Sequence, residues 1–367
     1  MAGEEKVRVL VVDDSTVVRR FLSNAIATDA TLEVVGTAAN GAIALQKIAL
    51  LEPHVVTMDI EMPEMSGLEA LKAIRRTNQT LPVIMVSSLT ERGAVATLEA
   101  LSLGATDYVT KPSGLSSAGD SEKEHFVRDL LPKLRGLGMR RIATSVARPA
   151  APAPVRIRPA ARRSGRIEIV AIGISTGGPN ALAELIPALP ADFPVPIVIV
   201  QHMPPLFTKL LAERLAAKSA IRVREGTAGE PLTAGTVTIA PGNQHMVIER
   251  TAAGPHVGLN QGPLENSCRP AADVLFRSAS DAYKAGVLAV VMTGMGQDGL
   301  HGCEAVIERG GQVFVQDEKS SIVWGMPGFV AEAGLADEIV PLNQMAPAIL
   351  RAVRVGRDPA RVAGGRG

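Results

Sequence analysis

The sequence predicts an α/β protein built from two doubly wound domains. Strand-length apolar runs alternate with helix-length amphipathic stretches in both halves of the 367-residue chain, as in a parallel sheet covered by helices on both faces. A stretch rich in Arg, Pro and Ala, with no acidic residue between 130 and 167, separates the two halves. A chain of this length is long enough to form two complete hydrophobic cores.

The composition excludes several classes of protein. Hydrophobic residues make up 46% of the chain and charged residues 20%, as in ordinary globular proteins. The formal net charge of +1 gives no reason to expect a nucleic-acid partner. The two cysteines lack metal-ligand spacing and the N-terminus lacks the apolar core of a signal peptide, so we expect a reduced, cytoplasmic protein. No apolar run is long enough for membrane insertion, and nothing indicates an oligomer, so we expect a monomer.

The first domain is predicted to span residues 1–125, with strands and helices in strict alternation. The strands are expected at Val7–Val12, Leu32–Ala38, Val55–Met58, Pro82–Val86 and Ala105–Val109. The helices are expected at Thr16–Ala27, Ala42–Leu51, Leu68–Arg76, Gly93–Leu103 and Lys123–Leu134. This alternation predicts a five-stranded parallel sheet of the flavodoxin type, whose ligand site lies at the carboxyl ends of the strands.

Polar residues stand where predicted strands of this domain end: Asp13 and Asp14, Asp59, Ser87 and Lys111. Converging carboxylates repel one another, and a hard cation such as Mg²⁺ relieves that repulsion through oxygen ligands. Since Mg²⁺ keeps positions open for phosphate oxygens, Asp59 is predicted to accept a phosphoryl group, with Lys111 and Ser87 binding it. Each aspartate alone would also suit a helix cap, but the whole set favours the phosphate-accepting site.

The motifs around these residues resemble those of two-component receiver domains. They read Val-Val-Asp13-Asp14-Ser, Met-Asp59-Ile-Glu-Met-Pro63, Val-Ser87-Ser and Thr-Lys111-Pro112. The resemblance implies that a sensor histidine kinase phosphorylates Asp59, and that Tyr108 is a switch residue together with Ser87 and Lys111. It also implies an Mg²⁺ ion held by Asp13, Asp14, Asp59 and Glu61, the last through its carbonyl.

Residues 126–166 are predicted to be a linker. Prolines and arginines recur there among alanines, and no apolar face is apparent. Such a segment cannot bury enough surface to offset the entropy of ordering, so we expect a semi-stiff, mobile connection. A docking strip for an acidic partner or an anionic lipid is the alternative. At the other end of the chain, residues 356–367 are predicted to be a disordered tail.

The second domain is predicted to span residues 167–355 and to be a Rossmann-like α/β domain, with some antiparallel strands near residues 222–260. Its strands are expected at Ile167–Ile174, Val195–Val200, Ile221–Arg224, Val237–Ala240, Met246–Arg250, Val287–Thr293 and Gln312–Val315. Its helices are expected at Ala181–Leu189, Phe207–Ser219, Ala271–Tyr283, Gly299–Glu308 and Met326–Ala333. No helix-turn-helix stretch with a basic face appears, which disfavours a transcription factor.

Ser175 lies in the stretch Val170-Ala-Ile-Gly-Ile-Ser-Thr-Gly-Gly-Pro179, where a predicted strand runs straight into a helix. Gly173 and Gly177 flank it in the G-x-S-x-G form, in which glycines allow a sharp bend that exposes the hydroxyl. A helix-capping turn or a glycine-rich phosphate cradle would show the same local pattern. The interpretation of Ser175 as a nucleophile therefore depends on a base and a carboxylate elsewhere in the chain.

Two further strand ends supply those groups. His202 follows a predicted strand directly, and Asp298 lies in a glycine-rich loop after another. In a parallel sheet these ends share one edge with Ser175. We therefore expect His202 to take the serine proton and Asp298 to orient the imidazole.

Other histidines are rival bases, namely His245, His256 and His301. His202 is preferred because it alone follows a core strand next to the Ser175 strand. Glycines on either side of Met295 allow a substrate to approach closely, so the Met295 amide region, together with Thr176, is predicted to stabilise an oxyanion. The chain order Ser, His, Asp disfavours the α/β-hydrolase fold, in which the order is Ser, Asp, His.

This order and its motifs resemble the chemotaxis protein-glutamate methylesterases, the CheB family. The matching stretches are Gly-Ile-Ser175-Thr-Gly-Gly-Pro, Gln-His202-Met-Pro, Met-Thr-Gly-Met-Gly-Gln-Asp298-Gly, Ala-Pro-Gly-Asn-Gln-His245-Met, Cys268-Arg-Pro-Ala-Ala-Asp273-Val-Leu-Phe and Gln-Asp317-Glu-Lys-Ser-Ser-Ile-Val-Trp-Gly-Met326-Pro. The resemblance implies that methyl-accepting chemotaxis receptors are the substrates. Their glutamate methyl esters would be hydrolysed and certain glutamines deamidated, with no cofactor at the esterase site.

The resemblance also implies regulation, in which the unphosphorylated receiver covers the catalytic face and phosphorylation of Asp59 weakens that contact. Two other functions stay open from the sequence. One is a receiver-regulated hydrolase of another acyl substrate, and the other is a non-enzymatic adaptor that docks on receptors.

Overall fold

The computed structural model describes residues 5–112, 119–146, 165–252, 254–355 and 357. The chain divides into two compact units, Met1–Ala151 and Pro152–Gly367, and each is described by itself. Of the helices within the described ranges, none combines the length and apolarity that crossing a membrane requires.

The first unit contains the predicted five-stranded parallel sheet. Its strands are β1 (Val7–Val12), β2 (Leu32–Ala38), β3 (Val55–Asp59), β4 (Val83–Ser87) and β5 (Asp107–Thr110). Its helices are α1 (Thr16–Ala27), α2 (Gly41–Leu51), α3 (Gly67–Thr77), α4 (Glu91–Ser102) and α5 (Asp120–Val146). The strand order is β2-β1-β3-β4-β5, and every neighbouring pair is parallel. The carboxyl ends of β1, β3, β4 and β5 therefore stand side by side.

Helix α5 extends well beyond its predicted end at Leu134, so residues 126–146, which the sequence assigned to the linker, are helical. An apolar stripe explains the extension. Its members recur at helical spacing and are all buried: Phe126, Leu130, Leu134 and Leu137. Pro132 and the many arginines obscured this stripe in the sequence. Residues 147–164 of the predicted linker lie outside the described residues, as does the predicted tail except for Arg357, and the domain boundaries stay predictions.

Gly138 lies on the buried face of α5, where a Cβ atom would stand 2.0 Å from Val7 Cγ1 of β1. We expect Gly138→Ala to lower the free energy of unfolding of the first unit by about 1–3 kcal/mol through overpacking. The measurement is hydrogen exchange of the β1 amides in the full chain. Met139→Ala is the matched control, because Met139 is 55% exposed. Equal exchange in both variants would mean that α5 does not pack on β1 at this turn.

The second unit is built on a seven-stranded sheet. Its strands and those of a separate hairpin are β6 (Ile169–Ile174), β7 (Ile197–Gln201), β8 (Arg222–Glu225), β9 (Thr236–Ile239), β10 (His245–Thr251), β11 (Gly254–Asn260), β12 (Val287–Val291), β13 (Gln312–Gln316) and β14 (Glu338–Val340). Its helices are α6 (Gly178–Leu185), α7 (Pro205–Ala216), α8 (Ala272–Tyr283), α9 (Leu300–Glu308), α10 (Met326–Glu332) and α11 (Leu342–Arg354). The sheet order is β14-β13-β12-β6-β7-β9-β8.

The antiparallel strands predicted near residues 222–260 are confirmed. β10 and β11 form an antiparallel hairpin, but β8 and β9 join the main sheet in parallel. Three elements were missed: β11, β14 and α11. β11 carries two glycines and a proline, β14 is only three residues long and α11 contains Pro347, so none shows a strong local pattern.

The centre of this sheet positions the candidate site. Every residue of β6, β7 and β12 is buried, because near-continuous apolar runs suit a parallel strand that is covered on both faces. β6 pairs with β7 on one side and with β12 on the other. The order of the strands therefore reverses beside β6, and the loops that follow the three strands meet at one edge, which is where ligands bind in open α/β sheets.

Candidate functional site

The first unit brings its predicted acidic residues together. Carboxylate oxygens of Asp13, Asp14 and Asp59 lie within 4.8 Å of one another. The Nζ atom of Lys111 lies 2.8 Å from Asp13 Oδ2 and 2.7 Å from Asp59 Oδ2. The single cation thus bridges two carboxylates that are almost fully buried.

Burial raises the pKa of Asp59 to about 6, even though Lys111 acts in the opposite direction. Asp13 adds to the rise through its charge, and the amide of Ile60 donates to Asp59 Oδ1 at 2.8 Å. Three clustered carboxylates suit a hard cation such as Mg²⁺, since they supply oxygen ligands and excess negative charge. The Glu61 side chain points elsewhere, to Arg92 at 3.4 Å, and a role for its carbonyl stays a prediction.

Of the three predicted switch residues, Lys111 contacts Asp59, whereas Ser87 and Tyr108 are buried and have other neighbours. The Ser87 hydroxyl accepts from Thr97 Oγ1 at 2.6 Å and donates to Gly93 O at 3.1 Å, which ties β4 to α4. Tyr108 is buried with Lys133 Nζ 5.6 Å from its ring centroid. Binding of a phosphoryl group by Ser87 stays a prediction, and it would require the Ser87 hydroxyl to exchange these partners.

Lys111→Met tests the charge balance of the acidic cluster. Two buried carboxylates lose their shared cation, so we expect the free energy of unfolding of the first unit to fall by about 3 kcal/mol. Adding Mg²⁺ is expected to restore more stability to the variant than to the wild type, because the ion replaces the missing positive charge. Hydrogen exchange of the β3 amides measures both effects, with the exposed Lys72→Met as control. Equal gains from Mg²⁺ in variant and wild type would contradict ion binding at this cluster.

In the second unit, Ser175 follows β6 in a loop whose backbone is held by three hydrogen bonds. Its amide donates to Thr293 O at 3.0 Å, and its carbonyl accepts from Gln201 Nε2 at 3.0 Å and from the Gly178 amide at 2.7 Å. Gly294 packs against it so closely that a Cβ there would lie 2.9 Å from Ser175 Cβ. The loop after β12 thus approaches the serine as only glycine allows.

Thr293 joins this loop to the chain before α10. Its hydroxyl donates to Thr176 O at 2.9 Å and accepts from the amides of Ile322 and Val323 at 3.0 and 3.1 Å. Sequence reasoning missed Thr293 and Gln201. Their only signal was position, since each is a polar residue at the end of an apolar run.

His202 and Asp298 meet as predicted. His202 Nε2 lies 2.7 Å from Asp298 Oδ2. The same oxygen accepts from the Ala272 amide at 2.6 Å, and Oδ1 accepts from the Asp273 amide at 3.0 Å. Burial acts to raise the pKa of Asp298, but His202 and these amides at the N-terminus of α8 outweigh it and lower the pKa. The carboxylate therefore stays charged.

The rival histidines have other partners. His301 is exposed and pairs with Glu304 at 2.9 Å. His256 pairs with Glu249 at 3.2 Å, and the buried His245 bonds Pro263 O through Nε2 at 2.8 Å. Each of the three is thus engaged with a neighbour other than Asp298.

The contact with Asp298 determines the tautomer of His202. An ionised carboxylate only accepts, so Nε2 carries the proton and Nδ1 is left as the basic nitrogen. Nδ1 lies 3.5 Å from the Sγ of Cys268, while no hydrogen bond joins the Ser175 hydroxyl to this ring in the described ranges. Burial acts to lower the pKa of His202, yet Cys268 and Asp298 together raise it, which increases the basicity of Nδ1.

The predicted oxyanion groups are Thr176 and Met295. Within the described residues the backbone amides of both make no hydrogen bond. Thr176 is buried, directly after Ser175. Free amides at this place suit a negative oxygen, and their role stays a prediction.

Cys268→Ala tests the electrostatics of His202. Removing the sulfur removes a contact that favours the protonated ring, so we expect the pKa of His202 to fall and the imidazole to be neutral at lower pH. The measurement is an NMR titration of the ring in histidine-labelled protein. Cys303→Ala is the control, because Cys303 is the other cysteine of the chain and is also buried. An unchanged or higher pKa in Cys268→Ala would contradict the assignment.

A parallel sheet with an acidic, lysine-bridged pocket precedes an α/β unit with Ser175, His202 and Asp298 at adjacent strand ends. These features define a response regulator with an enzymatic output domain. Residues 170–349 match the CheB methylesterase family, and residues 9–118 match the response regulator receiver domain. The chain belongs to the CheB methylesterase family.

Individual relatives agree over nearly the full length. A protein-glutamate methylesterase/protein-glutamine glutaminase of Trichodesmium erythraeum is 50% identical, and the alignment covers 95% of this chain and 99% of that protein. A protein of the same name from Nocardioides is 51% identical over 94% of this chain and 95% of its own. The crystal structure of the Thermotoga maritima CheB methylesterase catalytic domain is 41% identical with a TM-score of 0.50, covering 51% of this chain and 99% of that domain.

Proposed function

We propose that this chain is a phosphorylation-activated protein-glutamate methylesterase. It hydrolyses glutamate methyl esters on methyl-accepting chemotaxis receptors with release of methanol, and it deamidates certain receptor glutamines. The contact that carries the proposal is that of His202 Nε2 with Asp298 Oδ2, at 2.7 Å. The two residues follow β7 and β12, the strands on either side of the β6 strand that leads to Ser175. The names of the relatives supply the two reactions, and the resemblance of the motifs implies the receptors as substrates.

Ser175 is the nucleophile. Its hydroxyl attacks the ester carbonyl while His202 Nδ1, the nitrogen not bonded to Asp298, accepts the proton. The charge on Asp298 stabilises the imidazolium that forms, and its hydrogen bond keeps the ring in place. The Sγ atom of Cys268 lies 3.5 Å from the same nitrogen. The ring must therefore break this contact, or contact Sγ and the serine hydroxyl together, when it accepts the proton.

The oxyanion of the tetrahedral intermediate binds the amides of Met295 and Thr176. His202 then returns its proton to the leaving oxygen, and methanol departs. Water, deprotonated by the same nitrogen, hydrolyses the acyl-enzyme and regenerates the glutamate carboxylate. With a glutamine substrate the leaving group is ammonia. No cofactor takes part in these steps.

The receiver supplies the regulation. A sensor histidine kinase provides the phosphoryl group, which Asp59 accepts while Lys111 pairs with its charge. Asp13, Asp14, Asp59 and the Glu61 carbonyl would hold Mg²⁺, which would supply positive charge beside the phosphoryl oxygens. Ser87 leaves Gly93 O to bond the phosphoryl group, and Tyr108 repacks beside it. The chain works as a monomer in the cytoplasm, where its two cysteines stay free.

Methanol release from methylated receptor membranes tests the proposal. Ser175→Ala is expected to lower kcat by at least about 10⁴-fold without unfolding, since the nucleophile is removed. Ser219→Ala, at a serine beyond the end of α7, is the control. A small phosphodonor with Mg²⁺ is expected to raise release in the wild type but not in Asp59→Asn.

The outcomes separate the alternatives. Methanol release that survives Ser175→Ala would mean that another group is the nucleophile. Methanol release that does not change with the phosphodonor would support the esterase activity and contradict the proposed regulation. A wild type without release on several receptors would favour another acyl substrate or a non-enzymatic adaptor.

A further inference from the structure

A tight turn at residues 265–268 lies beside the His202–Asp298 pair. The Glu265 amide donates to Cys268 O at 3.1 Å, and the Cys268 amide donates to Glu265 O at 2.8 Å. Between them, Asn266 and Ser267 have φ values of 50° and 63°, a conformation that asparagine tolerates better than serine. The turn is held in place by Arg277, which lies on α8 and contacts Glu265 at 2.5 and 2.7 Å.

The amide group of Asn266 reaches inward from this turn and joins two carboxylates. Its Nδ2 atom lies 3.1 Å from Asp298 Oδ1 and 2.9 Å from Asp273 Oδ2. Nδ2 carries two protons, so one is available to each carboxylate. Asp298 and Asp273 are both buried, 2% and 1% exposed, and the neutral Asn266 side chain therefore lies between two buried carboxylates and donates to both.

The other contacts of the two carboxylates show why this bridge matters. The amides of α8 hold Asp298 at its two oxygens, while Asp273 Oδ1 accepts from the Gly302 amide at 2.6 Å. Burial raises the pKa of Asp273, and the charge on Asp298 raises it further. Without the Asn266 amide, Asp298 Oδ1 would keep one donor and would face the second carboxylate directly.

We propose that Asn266 is a positioning residue for the esterase reaction, which acts through Asp298 on His202. It fixes the plane of the Asp298 carboxylate so that Oδ2 meets His202 Nε2, and it separates Asp298 from Asp273. The proposal rests on the proposed function in one respect, the role of His202 as the base. The orientation of the ring can be measured without any substrate.

The experiment uses the full chain with Asn266→Gly. Glycine removes the side-chain amide but keeps the positive φ without strain, so the turn itself is preserved. Ser267→Gly is the matched control, because it relaxes the neighbouring position of the same turn. Asn266→Asp is the second variant; it keeps the shape of the side chain but replaces the donor by a third carboxylate.

Two readouts are needed. The first is the kcat and KM of methanol release from methylated receptor membranes, and the second is the NMR signal of the His202 Nε2 proton. We expect Asn266→Gly to lower kcat roughly 10- to 100-fold with KM little changed, the range for losing a hydrogen bond to a charged group. The Nε2 proton signal is expected to move upfield or to be lost by exchange. Asn266→Asp should lose more activity, and Ser267→Gly should match the wild type.

Several results would overturn the proposal. A wild-type kcat and an unmoved proton signal in Asn266→Gly would exclude positioning, as would a rise in KM alone, which indicates a substrate contact. If Asn266→Gly does not fold, Asn266→Asp decides, since a wild-type proton signal there would exclude the bridge. If the wild type releases no methanol, the proposed function fails, whereas the shift of the His202 signal still tests the bridge.

Discussion

A buried carboxylate that cannot move is the constraint on which the second unit's site depends. Asp298 receives four donors, namely His202 Nε2, the Asn266 amide and the first two amides of α8. Such a group is stable in its charged form only because backbone dipoles and hydrogen bonds replace the water it lost. The ring of His202 is therefore aligned by a carboxylate that is itself fixed to a helix, and α8 is as much a part of the site as the loops.

The two units place carboxylates at the same kind of sheet edge, but the pKa of the key carboxylate is raised in the first unit and lowered in the second. In the first, carboxylates at neighbouring strand ends share the cation of Lys111, and burial, with a smaller contribution from the charge of Asp13, keeps the pKa of Asp59 raised. Residual charge of this kind favours the binding of a cation and, with it, a phosphoryl group. In the second, one carboxylate is saturated with donors and its pKa is lowered. A parallel sheet supplies the same edge for both, and the residues at that edge decide the chemistry.

Sequence reasoning located the residues that end strands, because an apolar run followed by a polar residue is a local signal. The sheet edge then brings Ser175, His202 and Asp298, or Asp13, Asp59 and Lys111, near one another. It did not find Asn266, Cys268 or Thr293 as parts of the site. Their roles arise from contacts between loops far apart in the chain, such as Thr293 with Ile322. It also ended α5 too early, since prolines and arginines hid the buried stripe that only packing on the sheet reveals.

The assignment of Nε2 to Asp298 has a geometric consequence for the base. Nδ1 is bonded to Cγ, the ring carbon that carries Cβ, so it lies closer to the backbone than Nε2 does. A given rotation of the side chain therefore displaces Nδ1 less than Nε2. The more mobile nitrogen, Nε2, is the one that is hydrogen-bonded to the Asp298 carboxylate. The reach of Nδ1 is correspondingly short, so the backbone has to bring Ser175, the proposed nucleophile, to the ring. The direct pairing of β6 with β7 meets that requirement.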